Sequence, residues 1–249
     1  MAGHGTPTER RDGYLPIECY AALGDGRTVA LVGLDGQIDW WPLPTLDAPP
    51  AFGALLDPAD GGHVALRPTG EFTTSRRYIE DTNVLETTFH AETGTVRVTD
   101  ALSIGLNGLL PWEELVRKVD GIDGTVDLRW EVAPGDRLRT AQPWVEARDD
   151  SALVHIGDQH LAIRCFDLGT PDVEPHRVSG TVTVKAGDAG LLALTASDAS
   201  PVMLARPAEL AEHVDLTVTR WREWSRNLRY DGEWRDAVIR SALALKLLA

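Results

Sequence analysis

Apolar and polar residues alternate in short runs along most of this chain, and turn-forming residues separate one run from the next. Residues 62–67, 84–90 and 96–102 have the period of two that is typical of half-buried β-strands. Further runs follow up to residue 195, with turn signals roughly every 8–12 residues. Two of them, residues 112–119 and 126–132, flank a predicted turn rich in glycine. The pattern predicts an antiparallel β-sandwich and argues against a parallel α/β sheet.

The clearest hairpin signal lies near the N-terminus, where apolar runs at residues 28–32 and 38–41 flank the pair Asp35-Gly36. Asp-Gly can supply the positive φ angles of a tight hairpin turn, and the prolines that follow prevent the second strand from continuing. Because side chains alternate across a strand, Trp40 and Trp41 point to opposite faces. One tryptophan is therefore predicted to enter the core, while the other covers a second sheet, another domain or a ligand.

A structural role explains some of the aspartates in this region better than others. Asp25 and Asp35 stand beside glycines and are predicted to form turns, and Asp47 precedes Ala-Pro-Pro as a loop cap. Asp39 is a charge within an apolar strand, which is unusual. A pairing with Arg27 across the hairpin would make Asp39 structural, and the alternative is that Asp39 faces a substrate.

The pattern changes at residue 207. Residues 207–227 carry apolar positions at helical spacing, with a proline in the first turn. A Tyr-Asp-Gly break follows, and residues 233–248 form a second predicted helix that is apolar on nearly every side. One face of a sandwich can cover only one side of such a helix. We therefore expect this helix to fray in the chain alone, or to pack against a second copy or another domain.

Composition narrows the possible partners. The formal net charge of −14 argues against nucleic acid and anionic membranes, because both require a basic surface. The first residues lack an apolar signal sequence, and no apolar run is long enough to span a membrane. Two distant cysteines, Cys19 and Cys165, indicate a reduced, cytoplasmic protein. The seven histidines show no metal-ligand spacing, so neither a metal nor another cofactor is expected.

Two stretches resemble bacterial proteins of glycoside hydrolase family fifteen, the trehalase and glucoamylase type. The first matches that family's opening pattern at Ile17, Glu18, Tyr20, Gly24, Asp25, Arg27, Thr28, Ala30, Leu31, Val32, Asp35, Gly36, Ile38, Asp39, Trp40, Pro44, Asp47, Pro49, Phe52, Leu55 and Leu56. The second matches the linker and first helix of the family's catalytic barrel at Trp221, Trp224, Tyr230, Gly232, Trp234, Val238, Arg240, Ser241, Ala242, Leu243, Leu245, Lys246 and Leu248. Cys19 and Thr45-Leu46 depart from the family pattern, which has an acid and an Arg-Phe pair at these places.

The resemblance implies a domain organisation. Residues 1–13 would be a flexible arm, residues 14–206 an N-terminal β-sandwich domain, and residues 207–249 a linker helix and the first helix of a truncated six-fold α/α barrel. Both catalytic glutamates of the family lie in later parts of that barrel, so this chain is expected to contain no catalytic residue. Its implied role is to brace the barrel and shape the active-site mouth of an enzyme that hydrolyses α-glucosides, such as trehalose or malto-oligosaccharides.

The same reasoning selects candidate residues and partners. Substrate-side or domain-interface candidates are Asp39, Trp40, Trp41 and Asp47, and barrel-interface candidates are Trp221, Trp224, Trp234 and Arg240. The expected partner is a catalytic α/α barrel, in cis if the gene is longer and otherwise in trans, with a homodimer through the C-terminal helix as an alternative. Two other functions stay open: a free-standing carbohydrate-binding module that uses tryptophans as sugar platforms, and a scaffold subunit for a separately encoded barrel.

Overall fold

The computed structural model describes residues 10–105, 108–197 and 204–248. In these ranges a short 3-10 helix at Ile17–Cys19 precedes fifteen strands and two α-helices. The strands are β1 (Tyr20–Gly24), β2 (Val29–Gly33), β3 (Gln37–Pro42), β4 (Pro50–Phe52), β5 (Gly62–Pro68), β6 (Phe72–Tyr78), β7 (Leu85–Ala91), β8 (Gly94–Leu102), β9 (Glu113–Pro134), β10 (Trp144–Arg148), β11 (Ser151–Ile156), β12 (Gln159–Phe166), β13 (Asp172–Glu174), β14 (Arg177–Lys185) and β15 (Ala189–Ser197). The helices are α1 (Pro207–Ser225) and α2 (Arg235–Lys246). The predicted mainly antiparallel β fold with C-terminal helices is confirmed.

The long strand β9 belongs to two layers of one continuous sheet. Its first part, residues 113–120, lies between β8 and β15, and its last part, residues 125–134, lies between β5 and β14. We call the strands β6, β7, β8, β15, β12, β11 and β10, with the first part of β9, the helix-side layer. The strands β1, β2, β3, β5, β14 and β13, with the last part of β9, form the outer layer.

The turn predicted between residues 119 and 126 is wrong, because β9 runs through this segment without reversing. Gly124 has a φ of +61°, and the pairing of β8 with β9 shifts register between Thr95 and Val96, as at a β-bulge. A Cβ atom on Gly124 would lie 2.2 Å from the carbonyl oxygen of Thr93. Glycine here therefore permits a close approach and a bend, which carries the strand from one layer into the other.

A single core lies between the two layers. The buried cluster draws on the inward faces of both, as alternation along each strand requires. From the outer layer it includes Leu23, Val32, Ile38, Trp41, Val64 and Leu66, and from the helix-side layer Leu85, Phe89, Val98, Leu115, Leu192 and Leu194. This shared core supports the predicted sandwich arrangement.

The two helices cover part of the opposite face of the helix-side layer. Strand β15 is buried on both faces: Leu192 and Leu194 enter the core, while Leu191 and Ala193 contact the helices. Each helix contributes residues at three- and four-residue spacing, as an amphipathic helix does. They are Leu210, Val214 and Trp221 from α1, Ile239 and Leu243 from α2, and Leu247 directly after α2. Neither of the described helices is long and apolar enough to cross a membrane.

Candidate functional site

The predicted hairpin turning at Asp35-Gly36 is confirmed by β2 and β3. The Gly36 amide donates to the carbonyl oxygen of Gly33 at 3.0 Å, and Gly36 has a φ of +80°. A Cβ atom on Gly36 would lie 2.4 Å from the carbonyl oxygen of Leu66 and 2.7 Å from Cζ of Phe89. Both the backbone conformation and the packing therefore require glycine at the turn that positions Asp39.

Asp39 is fully buried and contacts three polar side chains. The Tyr20 hydroxyl donates to Asp39 Oδ2, and Gln37 Nε2 donates to Oδ1 at 2.7 Å. Nη1 of Arg10 lies 2.9 Å from Asp39 Oδ2. Burial, followed by the hydrogen bond and charge of Asp39, raises the pKa of Tyr20, so this hydroxyl stays protonated as a donor. The contacts give Asp39 a structural role.

The partner expected for Asp39 was wrong, because Arg27 points elsewhere. Nη1 of Arg27 lies 2.9 Å from Glu113 Oε1, and its Nη2 donates to the carbonyl oxygens of Leu110 and Trp112 at 2.8 and 3.1 Å. Arg27 therefore ties the β1–β2 loop to the start of β9. The cation at Asp39 comes instead from Arg10, a residue more distant in sequence.

Arg10 joins both aspartates of the hairpin. Its Nε donates to Asp35 Oδ2 at 2.8 Å, and Nη1 of Arg67 donates to the same oxygen at 3.0 Å. Burial acts to lower the pKa of Arg10, but the hydrogen bonds and charges of Asp35 and Asp39 outweigh it and raise that pKa. Residues 10–13, assigned by sequence to a flexible arm, are thus anchored to the hairpin, and Arg11 also pairs with Tyr14 through the backbone.

The three other substrate-side candidates lie in different environments. Trp41 is fully buried and stacks on Phe52 with ring centroids 6.0 Å apart, so it is the core tryptophan of the pair. Trp40 is half-buried and pairs with Leu31 across the hairpin. Asp47 is exposed and accepts a hydrogen bond from the Thr45 hydroxyl at 2.7 Å, which lowers the pKa of this carboxyl. The structure thus places Trp41 in the core, Trp40 at a half-buried position and Asp47 at the surface.

Helix α1 is fixed to β9 and to the segment after β8 by both apolar and polar contacts. Trp221 is 3% exposed, and Trp224 meets it edge-on at 6.4 Å. Nδ1 of His213 lies 2.7 Å from Oε1 of the buried Glu114. The Thr217 hydroxyl accepts a hydrogen bond from the Ile104 amide at 2.9 Å. Trp221 therefore packs on the sandwich of its own chain.

Hydrogen bonds from Asn83 and Arg240, which were not predicted from the sequence, hold helix α2 on the sandwich, and we call this group of contacts the polar clasp. Asn83 Nδ2 donates to the carbonyl oxygen of Leu243 at 3.0 Å, and Arg240 donates to the Asn83 side chain and, at 2.8 Å, to the carbonyl oxygen of Thr82. The Arg240 guanidinium also lies 4.0 Å above the centroid of the Tyr78 ring, a cation–π geometry. Arg240, a barrel-interface candidate, thus contacts the sandwich.

The opposite face of α2 is apolar and open to solvent. Trp234, Val238, Leu245 and Leu248 are 67%, 36%, 71% and 52% exposed. Their spacing places them on one stripe of α2 and of the residues that flank it, away from the buried Ile239, Leu243 and Leu247. We call these four exposed residues the α2 stripe. Exposed apolar residues that lie together in this way usually mark an interaction surface. Of the barrel-interface candidates, Trp234 belongs to this open stripe.

The aspartates of the hairpin do not form a catalytic pair. Asp35 and Asp39 are 3% and 0% exposed and share Arg10, so their charges are already neutralised and closed to a substrate. Among the described residues, no group of three His, Cys, Asp or Glu side chains is arranged to hold a metal ion. The fold and its surfaces therefore define a β-domain that carries two helices, the second with an exposed apolar stripe.

Comparison with known proteins gives the family. Residues 11–195 match the trehalase-like N-terminal domain, and the chain belongs to this family. Over 95% of its length the chain is 29% identical to a trehalase of Mycobacterium tuberculosis, and 28% identical to a trehalase of Thermoplasma volcanium. In both cases it spans 38% of the relative's length. The trehalase-like resemblance is thereby confirmed, while membership of family fifteen stays a prediction.

Proposed function

We propose that the chain is the non-catalytic N-terminal domain of a glycoside hydrolase that acts on α-glucosides, and that its α2 stripe docks a catalytic α/α barrel. The observation that carries this proposal is the division of α2 into two apolar faces. One face, with Ile239, Leu243 and Leu247, is buried on the sandwich, and the other, with Trp234 and Leu245, is open. Full burial of a leucine is worth roughly 1.5–3 kcal/mol relative to exposure, so covering this stripe would stabilise an assembly appreciably.

The choice of a barrel as the partner that covers the α2 stripe rests on the relatives. Those proteins are called trehalases, and each is much longer than the matched part, since the chain spans 38% of their length. A further region therefore exists in them, and a barrel on α2 would supply the two glutamates that inverting hydrolysis requires. Trehalose is the favoured substrate, and malto-oligosaccharides are the second choice from the glucoamylase resemblance. The barrel could be joined in cis or encoded separately.

In this proposal the domain braces the barrel through α2 and shapes one side of its mouth. Trp40 and Asp47 stay the candidates for that side, because Asp39 and Trp41 are buried. The proposed location is the cytoplasm. It is supported by the two free thiols of Cys19 and Cys165, which suit a reducing compartment.

The first test is enzymatic. The isolated chain should release no glucose from trehalose or maltose, because its buried aspartates are neutralised by arginine and the required glutamates would come from the barrel. Turnover by purified chain that persists after rigorous removal of host glycosidases would overturn the proposal.

The second test addresses the docking face. Leu245→Glu places a charge in the middle of the open stripe, and Thr219→Glu places the same charge on the exposed side of α1 as a matched control. Both variants should melt like the wild type, because both positions face solvent. Co-expressed with the barrel encoded in the same or the adjacent reading frame, Leu245→Glu should lose co-purification and trehalose hydrolysis, whereas Thr219→Glu should keep both.

Two results would contradict the proposal that a barrel covers the α2 stripe. One is a Leu245→Glu variant that retains the barrel and full hydrolysis. The other is a wild-type chain that forms a dimer in sedimentation experiments, with Leu245→Glu returning it to a monomer while the barrel binds equally to both. In that case a second copy of the chain covers the stripe.

A further inference from the structure

The helix-side layer has a second region, beyond the helices, that none of the described elements covers. The cluster beneath α1 and α2 includes residues of β8, β9 and β15. Farther along the layer, β11 alternates between core residues and a half-buried outward face, Ser151, Leu153 and His155. This outward face lines an open hollow of about 660 Å³. Other lining residues are Ala147, Arg148, Asp149, Asp150, His160, Ala162 and Leu204.

An ordered row of three rings crosses β10, β11 and β12. Its two histidines, His155 and His160, line this hollow, and Trp144 lies beside His155. The register pairs Trp144 with His155, and His155 with His160, so the three side chains lie side by side on one face. The Trp144 indole lies flat on the His155 imidazole, with centroids 3.8 Å apart and an interplanar angle of 9°. His160 meets His155 edge-on, and their Nδ1 atoms are 3.1 Å apart, so one ring donates a hydrogen bond to the other.

This row leaves part of one aromatic residue available. Trp144 is 49% exposed although one side of its ring rests on His155, so about half of its surface is open to solvent. The stacking and the His155–His160 hydrogen bond fix the orientation of the ring before any ligand arrives. Preorganised aromatic surface loses little conformational entropy on binding, which favours its use in recognition.

The polar groups around the row are paired and oriented. Nη2 of Arg148 lies 2.9 Å from Glu146 Oε2, and Nη2 of Arg164 lies 3.1 Å from Asp150 Oδ2. Each pair keeps free donor and acceptor positions at the rim, because guanidinium and carboxylate groups have more hydrogen-bonding sites than one contact uses. Around the row and the hollow, two arginines face three carboxylates, Glu146, Asp149 and Asp150, so the net charge is small. Such a rim suits a ligand rich in hydroxyl groups and without charge. The acidic chain also disfavours nucleic acid here.

From this arrangement we propose a binding site for a neutral saccharide of one to three sugar rings on Trp144 and the adjoining hollow. A pyranose presents an apolar C–H face that can pack on the exposed part of the indole, and its hydroxyls can reach the paired charges of the rim. The hollow lies in the usual range of small-molecule sites, about 300–1,000 Å³. This site is separate from the α2 stripe and needs no barrel.

The test uses the isolated chain, with maltotriose and trehalose as probes and myo-inositol as the polyol control. Titration is followed by the indole Nε1–H signals in ¹H–¹⁵N spectra, where Trp144→Ala identifies the Trp144 signal. Maltotriose or trehalose should shift this signal saturably, and myo-inositol should not. Because Trp144→Ala and Trp144→Phe lack the reporting indole, the affinity of all variants is measured by isothermal titration calorimetry. Trp144→Ala should weaken binding tenfold or more, and Trp144→Phe should retain most of it. Trp234→Ala should bind like the wild type, because Trp234 lies at the start of α2.

If Trp144→Ala does not fold, Leu153→Trp provides a second test. The larger side chain fills the hollow and leaves Trp144 in place, so this variant should abolish binding. The proposal is overturned if neither saccharide shifts the Trp144 signal, if myo-inositol shifts it equally, or if Trp144→Ala and Leu153→Trp bind like the wild type. Because the barrel is absent from this experiment, a failure here leaves the docking of α2 untouched, and a failure of α2 docking leaves this site untouched.

Discussion

Replacing Arg10 with methionine removes the cation from the most deeply buried carboxylate of the hairpin. Asp39 has no exposed side-chain surface, and Arg10 is 17% exposed. Removing one partner of a buried ion pair typically costs about 3–5 kcal/mol, because the remaining charge stays buried without compensation. Asp39 keeps its hydrogen bonds from Tyr20 and Gln37, and Asp35 keeps Arg67. We therefore expect a somewhat smaller loss of stability, about 2–4 kcal/mol.

Thermal and urea unfolding would measure this effect. For a domain of this size the loss corresponds to a fall in melting temperature of roughly 5–15 °C. Arg11→Met is the matched control, because Arg11 is the exposed neighbour and should change stability little. The double variant Arg10→Met/Asp39→Asn removes the uncompensated charge and should be less destabilised than the sum of the two single variants. If Arg10→Met and Arg11→Met unfold at the same temperature, the proposed anchoring of the N-terminal segment is wrong.

Two further predictions concern the turn and α1. Gly36→Val should destabilise the chain by about 2 kcal/mol or more, because it combines an unfavourable positive φ with the close contacts at Leu66 and Phe89. Gly70→Val is the control, since a Cβ atom at Gly70 meets open space. Equal melting temperatures of the two variants would contradict the turn. The hydrogen bond that His213 donates to Glu114 raises the pKa of His213 against the effect of burial. The ion pair therefore stabilises the fold fully below the unfolded-state pKa of about 6.5, and this stabilisation is lost as pH rises through the higher folded-state pKa. The stability advantage of the wild type over His213→Gln should therefore shrink as pH rises above about 6.5, and an advantage independent of pH would count against this pair.

Local signals in the sequence predicted the elements of this fold well. The hairpin could be located because Asp-Gly requires a particular turn and the flanking runs have strand character. The second helix was also recognisable from the sequence. Its apolar residues, predicted on nearly every side, lie in the structure either against the sandwich or on the exposed α2 stripe. The strand β9 was predicted as two strands, because glycines that permit a bend look in sequence like glycines that form a turn.

Long-range polar partners could not be predicted in the same way. Asp39 in an apolar strand required a cation, but nothing in the sequence distinguishes Arg10 from the nearer Arg27. The clasp between Asn83 and α2 joins residues that are 160 positions apart, and a lone asparagine carries no sign of such a contact. Trp144 was one of eight tryptophans, and only the register of β10, β11 and β12 reveals the stack on His155.

The path of β9 through both layers has a consequence for synthesis of the protein on the ribosome. Its partners β5 and β8 emerge before it, whereas β14 and β15 emerge after it. Until those later strands are made, one edge of β9 has unpaired amide and carbonyl groups in both layers, and such an edge can pair with other chains. The nascent chain would therefore complete its sheet late, and chaperones would be most useful in the interval between β9 and β15.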